Sequence, residues 1–318
     1  MVRVVVALGG NALNRAGGDG GWAEAGEQMR RTASVLAELV RDGHELILTH
    51  GNGPQVGALL RQNEVARREV PPRPLHVLGA ETEGQIGYLI QRELTAALEA
   101  AKTPRTVVVF LSRVEVAAND PSFRTPSKPI GPYYTEEQAR LLRKNEGWQL
   151  EFDRPRGGWR RVVASPVPVR WIEGEEVARF LGPGWADRFV PVVTGGGGVP
   201  VVRRRGGLEG VDAVIDKDRT AALVGTTLRA DTLAIVTDVP GVAVGFGKPW
   251  ERWLGDTTSD ELARALAAGE FGAGSMAPKI EAVLSFLAAG GRRAVITDAP
   301  SLWRSLRGEA GTRVGPRP

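Results

Sequence analysis

The chain has 318 residues, of which 42% are hydrophobic, and a formal net charge of +4. This length and apolar content suffice for one large domain or two lobes, and they exclude a disordered chain. The lack of cysteine excludes disulfide scaffolds, thiolate metal sites and cysteine nucleophiles. The histidines His44, His50 and His76 lack metal-ligand spacing. The first apolar run, Val4 to Leu8, is too short for a signal sequence or a membrane span, so we expect a soluble, cytoplasmic protein with no membrane partner.

The basic residues are strongly biased toward arginine, with 35 Arg and 6 Lys. Each lysine is therefore either a scattered residue without function or a candidate for a role that needs a compact ammonium group. The six are Lys102, Lys128, Lys144, Lys217, Lys248 and Lys279. The run Arg203-Arg204-Arg205 precedes two glycines and has no interleaved aromatic residues. We interpret it as a solvated hairpin tip and expect no nucleic-acid partner.

The first third of the chain alternates predicted strands and helices. Strands are predicted at 2–8, 46–49 and 106–111, and helices at 23–41, from Pro54 through residue 60, and at 78–100. Gly43 is a stop signal for the first helix, and Pro54 suits the first position of the second. This alternation predicts an α/β fold with an open, mostly parallel sheet that is covered by helices on both faces.

The composition changes between residues 117 and 170, which are rich in Pro, Gly, Tyr and charged residues. Short alternating segments there, at 148–152 and 159–163, indicate a small appended subdomain. The α/β alternation then resumes. The predicted elements are a helix after Glu173, a strand at 189–193, a hairpin at 199–214, a helix at 217–228, a strand at 232–236, helices at 259–268 and 277–289, and a last strand at 293–296.

Three glycine-containing loops follow three of the predicted strands. They are Gly9-Gly10-Asn11, Gly51-Asn52-Gly53 and Gly195-Gly196-Gly197-Gly198. The carboxyl ends of parallel strands meet at one edge of the sheet, and glycine lets backbone N–H groups approach a phosphate closely. One such loop alone is more often a plain turn. Three at one edge predict an anion-binding site.

Two common nucleotide-binding signatures are missing. A dinucleotide fingerprint needs G-x-G-x-x-G, but Gly51, Gly53 and Gly57 are one residue too widely spaced. A P-loop needs Ser or Thr after its Gly-Lys pair, but Pro249 follows Lys248. If the chain handles phosphate, it uses another architecture.

Ordered motifs along the whole chain resemble those of the carbamate kinases, a branch of the amino-acid kinase superfamily. The first half carries the motifs at 7–13, 49–57, 85–88, 120–123, 128–134 and 161–166. The second half carries those at 195–199, 213–218, 237–239, 246–249, 274–276 and 278–281. Four of the six lysines lie inside these motifs, so the interpretation of the lysines as scattered residues loses its weight.

The resemblance implies an amino-acid kinase fold and a homodimer. It implies an N-terminal lobe for carbamate at residues 1–116 and 171–200, a protruding lid at 117–170, and a C-terminal lobe for ATP at 201–318. The implied reaction is reversible phosphoryl transfer between ATP and carbamate, which gives ADP and carbamoyl phosphate. Mg²⁺ is implied as a cofactor that is held mainly through the nucleotide phosphates, with no direct protein ligands assigned.

The resemblance also implies roles for individual residues. Lys217 is similar to the lysine that contacts the transferring phosphoryl group, Lys279 to the lysine on the nucleotide phosphates, and Asp218 to the carboxylate that holds both. Lys128 is the implied lid lysine at the acceptor. The implied phosphoryl and acceptor residues are Gly9, Gly10, Asn11, Gly51, Asn52, Gly53, Gly196 and Gly197. The implied nucleotide residues are Thr237, Asp238, Val239, Phe246, Gly274 and Met276.

Simpler alternatives exist for several of these residues. Asp218 can instead be a helix N-terminal carboxylate, a role that Asp216 can fill equally well. Phe246 and Met276 can be core residues. Lys128, next to Pro129, can be an exposed loop lysine.

The chain departs from the family pattern at two places. Ala277 replaces a glycine near the expected nucleotide phosphates, where it requires an ordinary φ. The acidic pair Glu81 and Glu83 can alter the acceptor side or face solvent. Two other functions remain open: a kinase of the same superfamily with a different acceptor, and a catalytically silent ligand sensor.

Overall fold

The computed structural model describes residues 2–10, 21–154, 157–272 and 276–316. The strands are β1 Arg3–Leu8, β2 Glu45–His50, β3 Thr106–Val109, β4 Arg113–Val116, β5 Lys128–Tyr134, β6 Leu150–Asp153, β7 Gly158–Val163, β8 Pro168–Trp171, β9 Phe189–Val192, β10 Val199–Arg204, β11 Gly207–Gly210, β12 Thr232–Thr237, β13 Val242–Val244, β14 Arg252–Leu254, β15 Asp256–Thr258, β16 Arg293–Asp298 and β17 Thr312–Gly315. The helices are α1 Trp22–Arg41, α2 Gly53–Ala66, α3 Leu75–Ala100, α4 Glu136–Glu146, α5 Gly174–Phe180, α6 Lys217–Thr227, α7 Ser259–Ala267, α8 Ala277–Ala288 and α9 Leu302–Leu306.

An eight-stranded sheet in the order β15-β17-β16-β12-β1-β2-β9-β3 forms the centre of the molecule. All neighbouring pairs are parallel except β16 and β17, which are antiparallel. The predicted open, mostly parallel sheet is therefore confirmed. None of the helices in the described ranges is long and apolar enough to cross a membrane.

Strand β1 shows why the sheet needs helices on both faces. Its side chains alternate between the faces, so Val5 and Ala7 enter one core with residues of α5 to α8, while Val4, Val6 and Leu8 enter the other with residues of α1, α3 and α9. A strand buried on both sides is apolar at every position. The continuous run of five buried apolar residues in β1 follows from this position.

The prediction that residues 293–296 form the last strand is wrong. Helix α9 and strand β17 follow β16, and β17 returns antiparallel to it. β17 has only four residues, and its sequence, Thr-Arg-Val-Gly, contains a single aliphatic side chain. Its pairing depends on the exposed edge of β16 and not on an apolar run of its own.

In the described part of the chain, three smaller sheets lie outside the central one, and the smallest is the antiparallel pair β13-β14. The order β11-β10-β4-β8 forms a four-stranded sheet, and β5-β7-β6 forms a three-stranded sheet that accompanies α4. The expected boundary between residues 200 and 201 falls inside β10, which pairs with β4. The expected boundary at residue 170 falls inside β8, which also pairs with β4. The base of the 117–170 segment is therefore anchored in the four-stranded sheet.

The core packing of α1 allows a stability test. Leu36 is fully buried in α1, whereas Leu141 in α4 is 45% exposed. Leu36→Ala removes buried methyl groups and leaves a cavity, so we expect a loss of about 2 to 5 kcal/mol in the free energy of unfolding. Leu141→Ala should change it by less than about 1 kcal/mol. Urea unfolding followed by circular dichroism measures both, and equal losses would contradict the assigned burial.

Candidate active site

Two lysine ammonium groups share one buried carboxylate at the N-terminal ends of helices α6 and α8. Asp218 is 2% exposed; its Oδ1 accepts from Lys217 Nζ, and its Oδ2 accepts from Lys279 Nζ at 3.0 Å. Lys217 begins α6, and Lys279 lies in the first turn of α8. The carboxylate therefore fixes the relative position of two cations that come from different helices. Without it, the two buried ammonium groups would repel each other.

The neighbouring Asp216 is the residue that caps α6. Its Oδ1 accepts from the backbone N–H of Asp218 at 3.0 Å and of Arg219 at 3.4 Å. Its Oδ2 accepts from Lys128 Nζ at 2.8 Å. Asp216, and not Asp218, therefore caps helix α6. Lys128 lies in β5 and is ion-paired, so the exposed-loop alternative for it is wrong.

The charges of this cluster change one another's pKa values. Burial lowers the pKa of Lys217, and the Lys279 ammonium lowers it further, whereas Asp218 opposes both. Burial also acts to lower the pKa of Lys279, but the carboxylates of Asp218 and Asp216 outweigh it, and the net shift is upward. Burial acts to raise the pKa of Asp216, but the cations Lys128 and Lys217 dominate and lower it far below its usual range.

The glycine loops after β1, β2 and β9 meet beside these lysines, because the three strands are adjacent and parallel. A Cβ at Gly51 would lie 3.1 Å from Cδ of Lys217, and one at Gly196 would lie 2.2 Å from Nδ2 of Asn52. Asn52 is buried and donates to Thr82 Oγ1 at 2.9 Å. Gly196 therefore cannot carry a Cβ without displacing Asn52, whereas a Cβ at Gly51 would require Lys217 to shift by a few tenths of an ångström.

Other loop glycines are limited by the backbone. Gly197 has φ +93°, and a Cβ there would lie 2.5 Å from the carbonyl oxygen of Ile215. A Cβ at Gly9 would lie 2.4 Å from the carbonyl oxygen of Val236. Gly10 and Gly53 face open space instead. The expected site residues Asn11 and Gly274 lie outside the described residues.

A cavity of about 280 Å³ adjoins the lysine cluster at the end of β12. Lys279 belongs to both the cluster and the cavity wall, and Asp238 lies close enough to contribute to the raised pKa of Lys279. The expected nucleotide residues Thr237, Asp238, Val239, Phe246 and Met276 line the cavity together with Gly241, Ala243, Trp253, Glu270, Phe271 and Gly272.

The aromatic wall of this cavity is open to solvent. Phe246 is 63% exposed and meets Trp253 edge-to-face at 6.3 Å between ring centroids. The core alternative for Phe246 is therefore wrong. Met276 is half-buried, lines the cavity and also packs against the core. Two exposed aromatic rings beside a lysine suit a flat ligand that carries an anionic group.

Sequence reasoning did not identify several residues of this region. Trp253 and Glu270 carry no motif that indicates the cavity. The ion pair between Lys128 and Asp216 joins residues 88 positions apart. Two acidic residues, Glu81 and Glu83, depart from the family pattern. Glu81 pairs with Arg73 at 3.1 Å, whereas Glu83 is buried beneath the Gly195–Gly198 loop. Ala277 is buried in the first turn of α8.

Across residues 2–10, 21–154, 157–272 and 276–316, no group of three or more His, Cys, Asp or Glu side chains is arranged to hold a metal ion. The two carboxylates of the cluster, Asp216 and Asp218, already accept from lysines.

The chain is similar to a known protein family, to named sequences and to a solved structure. Residues 2–298 match the model of the amino acid kinase family. Sequences named carbamate kinase from Thermococcus kodakarensis and Halobacterium salinarum are 44% and 45% identical to this chain, and each alignment covers 99% of both chains. A solved structure titled carbamate kinase from Giardia lamblia bound to AMP-PNP has a TM-score of 0.91 and 36% identity, with 99% of both chains covered.

The chain therefore belongs to the amino acid kinase family, and the relatives at 44% and 45% identity are named carbamate kinase. The resemblance inferred from the motifs is confirmed, and so is the amino-acid kinase fold.

The charge of Asp216 allows a pH test. Its pKa is lower in the folded protein than the ordinary aspartate value, so its stabilising effect is present above about pH 4 and is lost as the pH falls below that value. Asp216→Asn keeps an oxygen to cap α6 but loses the charge that binds Lys128. We expect it to be less stable than wild type by about 1.5 to 3 kcal/mol at pH 7.

Denaturant unfolding between pH 7 and pH 3.5 measures this difference, which should shrink at the acid end. Asp187→Asn is the control, because Asp187 is largely exposed and its ion pair with Arg105 is long, at 3.7 Å. A gap between Asp216→Asn and wild type that stays constant with pH would contradict the assigned role of the charge.

Proposed function

We propose that this chain catalyses reversible phosphoryl transfer between ATP and carbamate, which gives ADP and carbamoyl phosphate. The observation that carries the proposal is the pair of ammonium groups on Asp218, between the glycine loops and the cavity at the end of β12. Relatives of 44% and 45% identity over the full chain are named carbamate kinase. No other function has an observation in its favour.

The chemistry fits a site that is built from cations and backbone amides. Carbamate already carries an anionic oxygen nucleophile, so a strong general base is not needed. The barrier is the approach of two anions, which cations must neutralise while they hold the reactants in line. Lys217 and Lys279 start from fixed positions on Asp218, so little reorganisation is needed when the phosphoryl group moves.

Each residue of the lysine cluster has its own role in this proposal. Lys217, which touches the Gly51 loop, contacts the transferring phosphoryl group, and Lys279, which lines the cavity, binds the nucleotide phosphates. Asp218 orients both ammonium groups. Lys128 reaches the acceptor from β5 and is held by Asp216. Backbone N–H groups of the glycine loops surround the acceptor and the phosphoryl group.

Magnesium enters this scheme with the nucleotide. Because Asp216 and Asp218 are engaged by lysines, the phosphate oxygens would supply the main ligands of the ion, and the protein would contribute the surrounding charge. The ion neutralises charge on the β- and γ-phosphates when it is bound.

We also propose the lobe arrangement: an acceptor lobe at residues 1–116 and 171–200, a lid at 117–170, and a nucleotide lobe at 201–318. Its support is that β1, β2, β3 and β9 form one half of the central sheet, and β12, β15, β16 and β17 the other. The segment from β5 to β7 forms its own sheet. It meets the acceptor lobe through Tyr134, whose hydroxyl donates to Glu64 Oε1 at 2.6 Å.

A homodimer in the cytoplasm completes the proposal. Trp22 of α1 and Tyr88 of α3 stack at 6.1 Å between ring centroids, and both remain more than 40% exposed. Such an aromatic patch is suited to a subunit interface. The cytoplasm is the compartment that supplies ATP and magnesium for the reaction.

The direct test is ATP formation from ADP, magnesium and carbamoyl phosphate by the purified protein. We expect turnover by the wild type, and a loss of about 10²- to 10³-fold in Lys279→Ala, because one preorganised charge contact is removed. Lys144→Ala, which removes an exposed lysine of α4, should match the wild type. A wild-type protein that binds ADP but forms no ATP would identify a silent sensor and overturn the proposal.

Lys128 distinguishes an acceptor role from a nucleotide role. Lys128→Ala should lower kcat/KM for carbamoyl phosphate by about 10²-fold or more and leave ADP affinity nearly unchanged. Lys128→Arg should restore little, because a planar guanidinium does not replace a compact ammonium in a site for so small an acceptor. Steady-state kinetics and ADP calorimetry on both variants measure this. Wild-type kcat/KM in the alanine variant would remove Lys128 from the mechanism.

A further inference from the structure

Glu83 is a buried carboxyl group that the assigned mechanism does not use. It lies in α3 and is 2% exposed. Its Oε2 accepts from the backbone N–H of Ser112 at 2.9 Å, and the N–H of Val199 contributes more weakly. Its Oε1 is buried and has no hydrogen-bond partner in the described part of the chain.

Glu83 supports the Gly195–Gly198 loop from below. A Cβ at Gly195 would lie 3.0 Å from Cγ of Glu83 and 2.4 Å from Nε2 of His50, so the loop backbone rests directly on both side chains. Ser112, which Glu83 binds, holds both ends of the loop. Its Oγ accepts from Thr194 N at 3.0 Å, and its carbonyl oxygen accepts from Val199 N at 2.8 Å.

Among the residues that the structure describes, no cation faces Glu83 to balance its charge. His50 Nδ1 lies 3.1 Å from the carbonyl oxygen of Gly51, which can only accept, so Nδ1 carries the hydrogen. Burial lowers the pKa of His50 to about 4, and the ring is neutral at pH 7. The other neighbour is the negative Glu173, whose own partner is Arg113 at 2.7 Å.

A buried carboxylate with so few donors and no cation is unfavourable, and the usual outcome is that it keeps its proton. Burial raises the pKa of Glu83 well above its ordinary value, in agreement with the geometry. Glu93 on the same helix shows the contrast. It is also buried, but it pairs with Arg30 at 3.1 Å and with Arg92 at 2.6 Å.

We propose that Glu83 is a positioning residue that acts as a neutral, protonated carboxylic acid beneath the acceptor site. In this form it fixes Ser112 and the Gly195–Gly198 loop without placing a negative charge under the backbone amides. An ionised Glu83 would repel the anionic acceptor and phosphoryl group that those amides are proposed to bind. The kinetic part of this inference rests on the proposed function, whereas the protonation state does not.

Infrared spectroscopy tests the protonation state without any activity. At pH 7 the wild-type protein should show the carbonyl stretch of a protonated carboxylic acid, which shifts in D₂O. The difference spectrum between wild type and Glu83→Gln should contain this band, and that between wild type and Glu93→Gln should contain only carboxylate bands. If Glu83→Gln does not fold, the wild-type band alone decides. Absence of a protonated-acid band in the wild type would overturn the proposal.

The pH dependence of stability gives a second readout. Because the pKa of Glu83 is raised in the folded state, the associated stability is present below about pH 4.5 and is lost as the pH rises toward the folded value. Glu83→Gln cannot lose a proton, so its Tm relative to wild type should rise with pH. Glu93→Gln should not show this trend. A Tm difference for Glu83→Gln that is independent of pH would overturn the proposal.

Kinetics test the positioning role. As Glu83 ionises at alkaline pH, the KM of the wild type for carbamoyl phosphate should rise about tenfold, with a smaller change in kcat. Glu83→Gln should lack this rise, Glu83→Ala should have a raised KM at every pH, and Glu93→Gln should keep the wild-type profile. The same alkaline rise in Glu83→Gln would overturn the positioning role. A wild type without turnover would instead refute the proposed function and leave the infrared result standing.

Discussion

The candidate site depends on one buried carboxylate between two ammonium groups. Asp218 is the shared partner of Lys217 and Lys279, which belong to different helices, so the contact also ties α6 to α8. Two lysines this close and this buried would otherwise lose protons or separate. The carboxylate keeps both charged and leaves their remaining N–H groups available to an anionic ligand. The rest of the region, from the Asp216 cap to the cavity wall, is arranged around this triad.

The glycine loops complement the lysines because the lack of side chains in the loops leaves room beside the ammonium groups. A Cβ at Gly51 would contact Lys217, and a Cβ at Gly196 would contact Asn52. The side chains of Lys217 and Asn52 thus occupy the space next to these glycines. Below this layer lie neutral polar groups, including His50 and the hydroxyl of Thr194.

Much of the fold was predictable because its strands are buried on both faces. The apolar run of β1 with a glycine directly after it indicates both the strand and the loop, and the same holds for β2. Strand β17 was not predictable, since its pairing depends on the edge of β16. Within the site, the rarity of lysine pointed to Lys128, Lys217 and Lys279.

The acidic residues of the region were harder to assign from the sequence than the lysines. Asp216 and Asp218 could not be told apart until the helix start was known, because both lie where a cap is expected. Glu83 stood out in the sequence only as a departure from the family pattern, and its burial depends on how α3 packs against a loop more than a hundred residues away in sequence.

Strand β1 lies in the middle of the central sheet, paired along its length with β2 on one side and β12 on the other. Its backbone amides are therefore among those that exchange with solvent only when the whole molecule opens. The loops that end β1, β2 and β12 form the proposed phosphoryl and nucleotide sites. The strands that position these loops therefore belong to the part of the protein that unfolds only globally. A destabilised variant should lose the site together with the entire fold.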